Sequence, residues 1–181
     1  MPNQREETLL TPQQTIETID DMAKRIHADI TRPEKRVVVG IRRGGAMVAE
    51  MVQQRLNTLL GIELPIGYLD ITFYRDDLDT VGPNPVVGAT DLTMNIDDQR
   101  IILVDDVLFS GRTIRAALNA LFDYGRPEIV DLMVLVDRGG RQLPIQPDYV
   151  GKVVKTEENS RESIKLVKSG DEKLTVVRRF L

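Results

Sequence analysis

Three short runs, "RVVVGI" (Arg36 to Ile41), "RIILVDD" (Arg100 to Asp106) and "IVDLMVLVD" (Ile129 to Asp137), are almost continuously apolar and rich in β-branched residues. Such runs suit strands covered on both faces rather than strands with one side in water. Between them lie stretches with helical periodicity, Ala46 to Leu60 and "TIRAALNALFDYG", the latter closed by Gly125 and Pro127. Strands that alternate with helices need crossover connections. The expected architecture is therefore α/β, a central, mostly parallel sheet flanked by helices. An earlier helix is predicted from Thr11 as N-cap, Pro12 at the first helical position and a stripe of Ile16, Ile19, Ala23, Ile26 and Ile30, with Pro33 ending it. "LPIGYLDITFY", Leu64 to Tyr74, reads as a further strand, and the C-terminal "SIKLVKSGDEKLTVVRRF" as a β-hairpin turning at Ser169 to Glu172.

The chain has 181 residues, which suits a single domain over 1–181 with a substantial core. Residues 75–98 are polar, contain Gly82, Pro83, Pro85 and Gly88, and lack periodicity; they are expected to form a mobile loop or lid. There are no cysteines, which removes disulfides and thiolate metal sites and fits a cytoplasmic location. "MPNQREETLL" lacks an apolar signal core, and no run approaches the length of a membrane span, so no membrane partner is expected. A net charge of -4 argues against a surface built throughout for nucleic acid, although a local basic face stays open.

In an open parallel sheet, ligands sit beyond the carboxyl ends of the strands. Those ends carry Arg42 and Arg43, Tyr74 and Arg75, Asp105 and Asp106, and Asp137 and Arg138. Two adjacent carboxylates repel one another, so a metal, a sugar or a phosphate-bearing ligand is needed as their partner. The following "VLFSGRT" resembles a phosphate loop, in which small residues let the N–H groups of Phe109 to Thr113 face an anion at the start of a helix. It matches neither the Walker A nor the dinucleotide spacing. A carboxylate pair can accept hydrogen bonds from vicinal hydroxyls while the loop holds a phosphate, and together they describe a ribose 5-phosphate.

"IILVDDVLFSGRT" resembles the phosphoribosyl pyrophosphate signature of type I phosphoribosyltransferases. Together with "VVVGIRRGGA", "LDITFYRDDL", "VLVDRGGRQLPI" and "DYVGKVV", in that order, the chain resembles the PyrR family, pyrimidine operon attenuation regulators that are also uracil phosphoribosyltransferases. The resemblance implies the type I phosphoribosyltransferase fold, with a base-binding hood and C-terminal hairpin over 140–181. It implies that Asp105 and Asp106 bind the ribose hydroxyls and are catalytic candidates. Val107 joins the substrate-binding set with the 5-phosphate loop Leu108, Phe109, Ser110, Gly111, Arg112 and Thr113. Arg42 and Arg43 fall in the pyrophosphate loop, and Arg75 is a catalytic candidate in the closing loop. Arg138, Tyr149 and Val150 lie where relatives hold the nucleobase by side-chain contact, stacking and backbone hydrogen bonds, although Tyr149 suits core packing equally well. Mg2+ is implied, held mainly by the substrate's own oxygens. The partners implied are phosphoribosyl pyrophosphate, uracil, UMP and a pyrimidine operon mRNA, in a homodimer or higher homo-oligomer. Phe109 stands where relatives acting on 6-oxopurines carry an acidic residue, which favours a pyrimidine.

Several letters depart from the family pattern. Gly44 replaces an arginine in the pyrophosphate loop, "DRGGRQLPIQ" carries Gly140, Gln142 and Gln146 for a histidine, an acid and a base, and Lys155 and Glu157 alter the segment after "DYVGK". Asp20, Asp21 and Lys24 stand in the first helix where RNA-binding members present threonine, arginine and histidine. Apart from Gly44, the changes fall largely on the surface that the resemblance assigns to RNA, so the enzymatic reading leads. The alternatives are a nucleotide-sensing RNA-binding attenuator with weak catalysis, or a phosphoribosyltransferase for another base.

Overall fold

The computed structural model describes residues 5–72, 89–156, 162–170 and 173–180. Strand β1 (Glu6–Leu10) leads into α1 (Pro12–Asp29), a 3-10 turn (Pro33–Lys35), β2 (Arg36–Ile41), α2 (Gly44–Leu60) and β3 (Ile66–Leu69). There follow β4 (Arg100–Leu108), α3 (Arg112–Tyr124), β5 (Ile129–Asp137), β6 (Tyr149–Val153), β7 (Glu162–Lys168) and β8 (Leu174–Phe180). The five strands β3-β2-β4-β5-β6 form a wholly parallel sheet, and β1-β8-β7 form a small antiparallel one.

The helix start at Thr11 follows from local chemistry. Its hydroxyl accepts from Gln14 N at 3.3 Å, and the Gln14 side chain accepts from Thr11 N at 2.9 Å, so two amide donors that helix geometry orphans are satisfied reciprocally. Strand alternation then sorts the apolar residues onto two faces. Val38, Ile102, Met133 and Tyr149 pack under α1 and α2, with Leu10, Ile164 and Val176 of the small sheet closing that side. Val37, Val39, Ile101, Leu103 and Val134 pack against α3 on the other face. Burial on both faces is why these strands read as unbroken apolar runs.

The structure adds to and corrects the elements read from sequence. β1 was not expected; it pairs antiparallel with β8, so the signal lies at the far end of the chain. Among the described residues, the strand expected over Leu64 to Tyr74 spans Ile66–Leu69, and Phe73 and Tyr74 lie outside them. It stops where Asp70 turns its carboxylate back to accept from Thr72 N at 2.8 Å, a local side-chain bond that competes with the ladder. Of the 75–98 segment, residues 75–88 lie outside the described residues, but 89–98 are anchored and are not a free loop. Asp91 and Tyr68 exchange two backbone hydrogen bonds of 2.8 Å, and Ile96 is buried. Within 140–181, β6 is an edge strand of the central sheet.

Candidate active site

Four elements converge at the carboxyl edge of the central sheet: the ends of β2 and β4 and the amino ends of α2 and α3. They enclose a cleft of about 410 Å³ lined by Arg42, Arg43, Gly44, Asp70, Thr72, Asp105, Asp106, Val107 and Thr113 among others. Two helix amino ends and two arginines supply positive potential, set against three carboxylates. The helices reach so close because glycine replaces side chains at their contacts. A Cβ at Gly45 would lie 2.5 Å from the Val104 carbonyl oxygen and 2.9 Å from Asp105 Cα, so the first turn of α2 rests directly on the β4 backbone.

Asp105 is buried and its Oδ1 accepts from Asp106 N at 2.9 Å; Asp106 Oδ1 accepts from Val107 N at 2.9 Å. Burial, reinforced by the charge and hydrogen bond of Asp106, pushes the Asp105 carboxyl well above its usual range. Asp106, half-buried, is the member of the pair open to the cleft. Across from it the Arg42 guanidinium lies 5.0 Å from the centroid of the Tyr68 ring, and Arg42 N donates to Leu69 O at 2.8 Å. Burial and a 3.0 Å bond donated to Glu50 push the Tyr68 phenol above its usual range.

The loop 108–113 is shaped by segment 138–143, of which the sequence pattern singled out Arg138 and Gln142 for other reasons and did not single out Arg141 and Leu143. Arg138 N donates to Leu108 O at 3.0 Å, Arg141 Nη1 to Phe109 O at 2.9 Å, and Gln142 N and Leu143 N to Ser110 O at 3.0 and 3.1 Å. Arg112 Nε donates to Gln142 Oε1 at 2.9 Å. With its carbonyls engaged by segment 138–143, the loop leads into α3 through Gly111, whose φ of 91° suits glycine. Arg141 also donates to Asp137 Oδ2 at 2.6 Å. Burial opposes ionisation of Asp137, but the bonds from Arg141 and Gly139 N outweigh it and hold its carboxyl below the usual range. The clue in the sequence was the spacing of Asp137 and Arg141, four residues apart around two glycines.

The Arg138 guanidinium sits over the exposed Phe109 ring at 4.2 Å from its centroid and donates to Glu162 O at 3.3 Å. These two residues form one wall beside the loop. Tyr149 and Val150, expected on the base side, do not join them. Tyr149 is 9% exposed, lies on the α1 face, and donates to Asp29 Oδ2 at 2.9 Å. It pairs in register with Met133, whereas the carboxyl end of that ladder is Asp137 opposite Val153, about 13 Å further along at the usual rise per residue. Val150 packs on the α3 face, and its carbonyl oxygen accepts from Arg25 Nη1. Arg75 lies outside the described residues.

Among the described residues no group of three or more acidic, His or Cys side chains is arranged to hold a metal. Asp105 and Asp106 alone suit an ion that arrives on substrate oxygens and keeps most of its other ligands, the usual habit of Mg2+ with phosphates. No helix among the described residues is long and apolar enough to cross a membrane.

Residues 6–165 match the phosphoribosyl transferase domain family. A bifunctional protein PyrR of Haemophilus ducreyi is 47% identical over 153 residues, covering 84% of each chain. The chain belongs to the PyrR family of phosphoribosyltransferases. Another PyrR, from Deinococcus radiodurans, is 44% identical and covers 87% of this chain and 90% of its own. Among solved structures, a hypoxanthine-guanine phosphoribosyltransferase of Bacillus anthracis superposes with a TM-score of 0.70, 17% identity and 99% coverage of each chain. A hypoxanthine phosphoribosyltransferase of Trypanosoma cruzi gives 0.68, 20% and 97% of each. At such identities the solved structures establish the fold of this PyrR-family chain, a type I phosphoribosyltransferase fold, and nothing about its base.

Proposed function

We propose that the cleft transfers the phosphoribosyl group of phosphoribosyl pyrophosphate to uracil, giving UMP and pyrophosphate. The observation that carries this reading is one strand-turn-helix unit that presents Asp106 to the cleft and the amino end of α3 beside it, with Arg42 and Arg43 across the gap. Vicinal ribose hydroxyls donate to the acidic pair, and the 5-phosphate meets the N–H groups of Phe109 to Thr113. Arg42 and Arg43 neutralise the departing pyrophosphate. The bond from the anomeric carbon to the pyrophosphate oxygen breaks, a bond to uracil N1 forms, and the N1 proton is released. Little covalent work falls to the protein; orientation, charge stabilisation and exclusion of water supply the rate. Mg2+ held with the pyrophosphate and the acidic pair would add charge neutralisation of the leaving group. Phe109 and Arg138 supply a flat apolar face and a hydrogen-bond donor on the base side. Arg75 is proposed as a further cation closing over the substrate.

The test is incubation with phosphoribosyl pyrophosphate, Mg2+ and uracil, hypoxanthine or orotate in turn. UMP is expected, and preferential formation of a purine nucleotide would overturn the pyrimidine assignment. Asp106→Asn is expected to lower kcat/KM about 100- to 1000-fold, the scale of losing one aimed electrostatic contact.

A UMP-dependent mRNA-binding activity is the second reading, favoured by the bifunctional naming of relatives that match most of the chain. On α1, however, Asp20 pairs with Arg55, and Asp21 lies 3.5 Å from Lys24, so carboxylates stand beside both cations and lower the positive potential there. Affinity for a pyrimidine leader RNA is expected to be weak and to fall steeply with salt. A homodimer or higher assembly is proposed from the family and is read by sedimentation equilibrium.

A further inference from the structure

The departure at Gly44 invites a simple interpretation, that this chain has lost an arginine and with it some grip on pyrophosphate. The geometry around Gly44 points elsewhere. A Cβ built at this position would lie 2.1 Å from Asp106 Oδ2, 2.4 Å from its Cγ and 3.1 Å from its Cβ. The carboxylate of Asp106 therefore occupies the space that any side chain at position 44 would begin in. Gly44 is also the first residue of α2, whose N-cap, Arg43, makes no side-chain capping bond. The carboxylate thus rests against an uncapped helix amino end, where negative charge is favoured.

We infer that Gly44 is a positioning residue for Asp106: the absence of a side chain at 44 fixes where the acidic pair presents its carboxylate to the ribose. In this chain glycine and aspartate form one fitted unit across the cleft, from α2 to β4. Restoring the family's arginine does not restore a missing cation, because its Cβ first drives Asp106 off the helix end. The nearest obstacle is the end of a short, rotatable side chain rather than backbone, so the response to a larger residue is a turned carboxylate in an intact fold. Gly44 differs in this from Gly45, where a Cβ would strike the β4 main chain.

This inference rests on the phosphoribosyl transfer proposed above, and kinetics of Gly44→Ala, Gly44→Arg, Asp106→Asn and the double variant Gly44→Ala/Asp106→Asn separate the two. Absence of UMP formation by the unaltered protein would refute the transfer reading itself. If the unaltered protein is active, Gly44→Ala is expected to lower kcat/KM for phosphoribosyl pyrophosphate about 100-fold, the scale of an ångström-sized misplacement. KM for uracil is expected to stay within about twofold, since base contacts are untouched. In the Asp106→Asn background the same alanine is expected to change the rate little, because residues in contact are not additive. Gly44→Arg is expected to be no better than Gly44→Ala. A gain of activity in Gly44→Arg, wild-type kinetics in Gly44→Ala, or additive losses in the double variant would each overturn the inference. So would loss of the folded state in Gly44→Ala, measured by thermal melting, because the geometry demands a side-chain rotation and a shift of a few tenths of an ångström at Asp106 Cβ, not a rebuilt backbone.

Discussion

The amino end of the central sheet, opposite the cleft, holds a test of how this fold is stabilised. Arg36 is 3% exposed and donates to Asp131 Oδ2 at 2.5 Å, while the Asp131 side chain is 21% exposed. Arg36 Nε has no hydrogen-bond partner among the described residues. Replacing Asp131 with leucine leaves a buried guanidinium without its counter-charge, which costs about 3–5 kcal/mol. For a chain of this size each kcal/mol moves the melting temperature about 2–4 °C, so a fall of about 6–20 °C is expected. Arg36→Met is milder, about 1–3 kcal/mol, because the carboxylate left behind reaches water. The double variant Arg36→Met/Asp131→Leu removes both charges and is expected to recover most of the loss. Urea and thermal melts of the four proteins give the full cycle. Arg36 stands five residues before Ile41, about 17 Å from the cleft, so kcat/KM per folded molecule is expected to be unchanged. A loss below about 1 kcal/mol for Asp131→Leu would refute the reasoning, since that is the value of a solvated surface pair.

Other predictions follow from the site. The raised pKa of Asp105 means the folded state holds its proton more tightly than the unfolded chain, so stability falls as pH rises from the ordinary carboxylate range through the folded value. Asp105→Asn is therefore expected to melt higher than the unaltered protein at alkaline pH and to lose that advantage near pH 3, while turnover collapses; a lower melting temperature at high pH would count against it. The Tyr149 phenol is pushed up to about 12 by burial and its bond to Asp29. Tyr149→Phe should remove the phenolate absorbance step near that pH, cost about 0.5–1.5 kcal/mol, and leave KM for uracil unaltered; a raised KM would return Tyr149 to the base site. Gly140 has φ +74° and a Cβ there would lie 2.4 Å from the Phe109 ring. Gly140→Ala is expected to cost about 1–3 kcal/mol from backbone strain and to raise KM for uracil more than KM for phosphoribosyl pyrophosphate, as steady-state kinetics would show.

The acidic pair, the loop after it and the buried strands around them were readable because each is a local pattern. β-branched runs need no distant information to declare a two-sided strand, a capping box closes within four residues, and Asp105 to Thr113 is contiguous. The α/β class followed from the order of those elements alone. Other features depended on residues far apart in the chain. β1 is a strand because Thr8 meets Val177, and Tyr149 lies in the core because β6 starts there and α1 covers that face. Neither fact has a signature within a short window, since each comes from a contact whose partners are more than a hundred residues apart. The loop carbonyls bound by segment 138–143 and the contact of Gly44 with Asp106 span fewer residues, but they too lie outside any short window. Sequence determined that Arg42, Arg43, Asp105 and Asp106 stand at the carboxyl edge of a parallel sheet. Only tertiary packing decided which of them touch, because close approach depends on where helix ends come to rest on neighbouring strands.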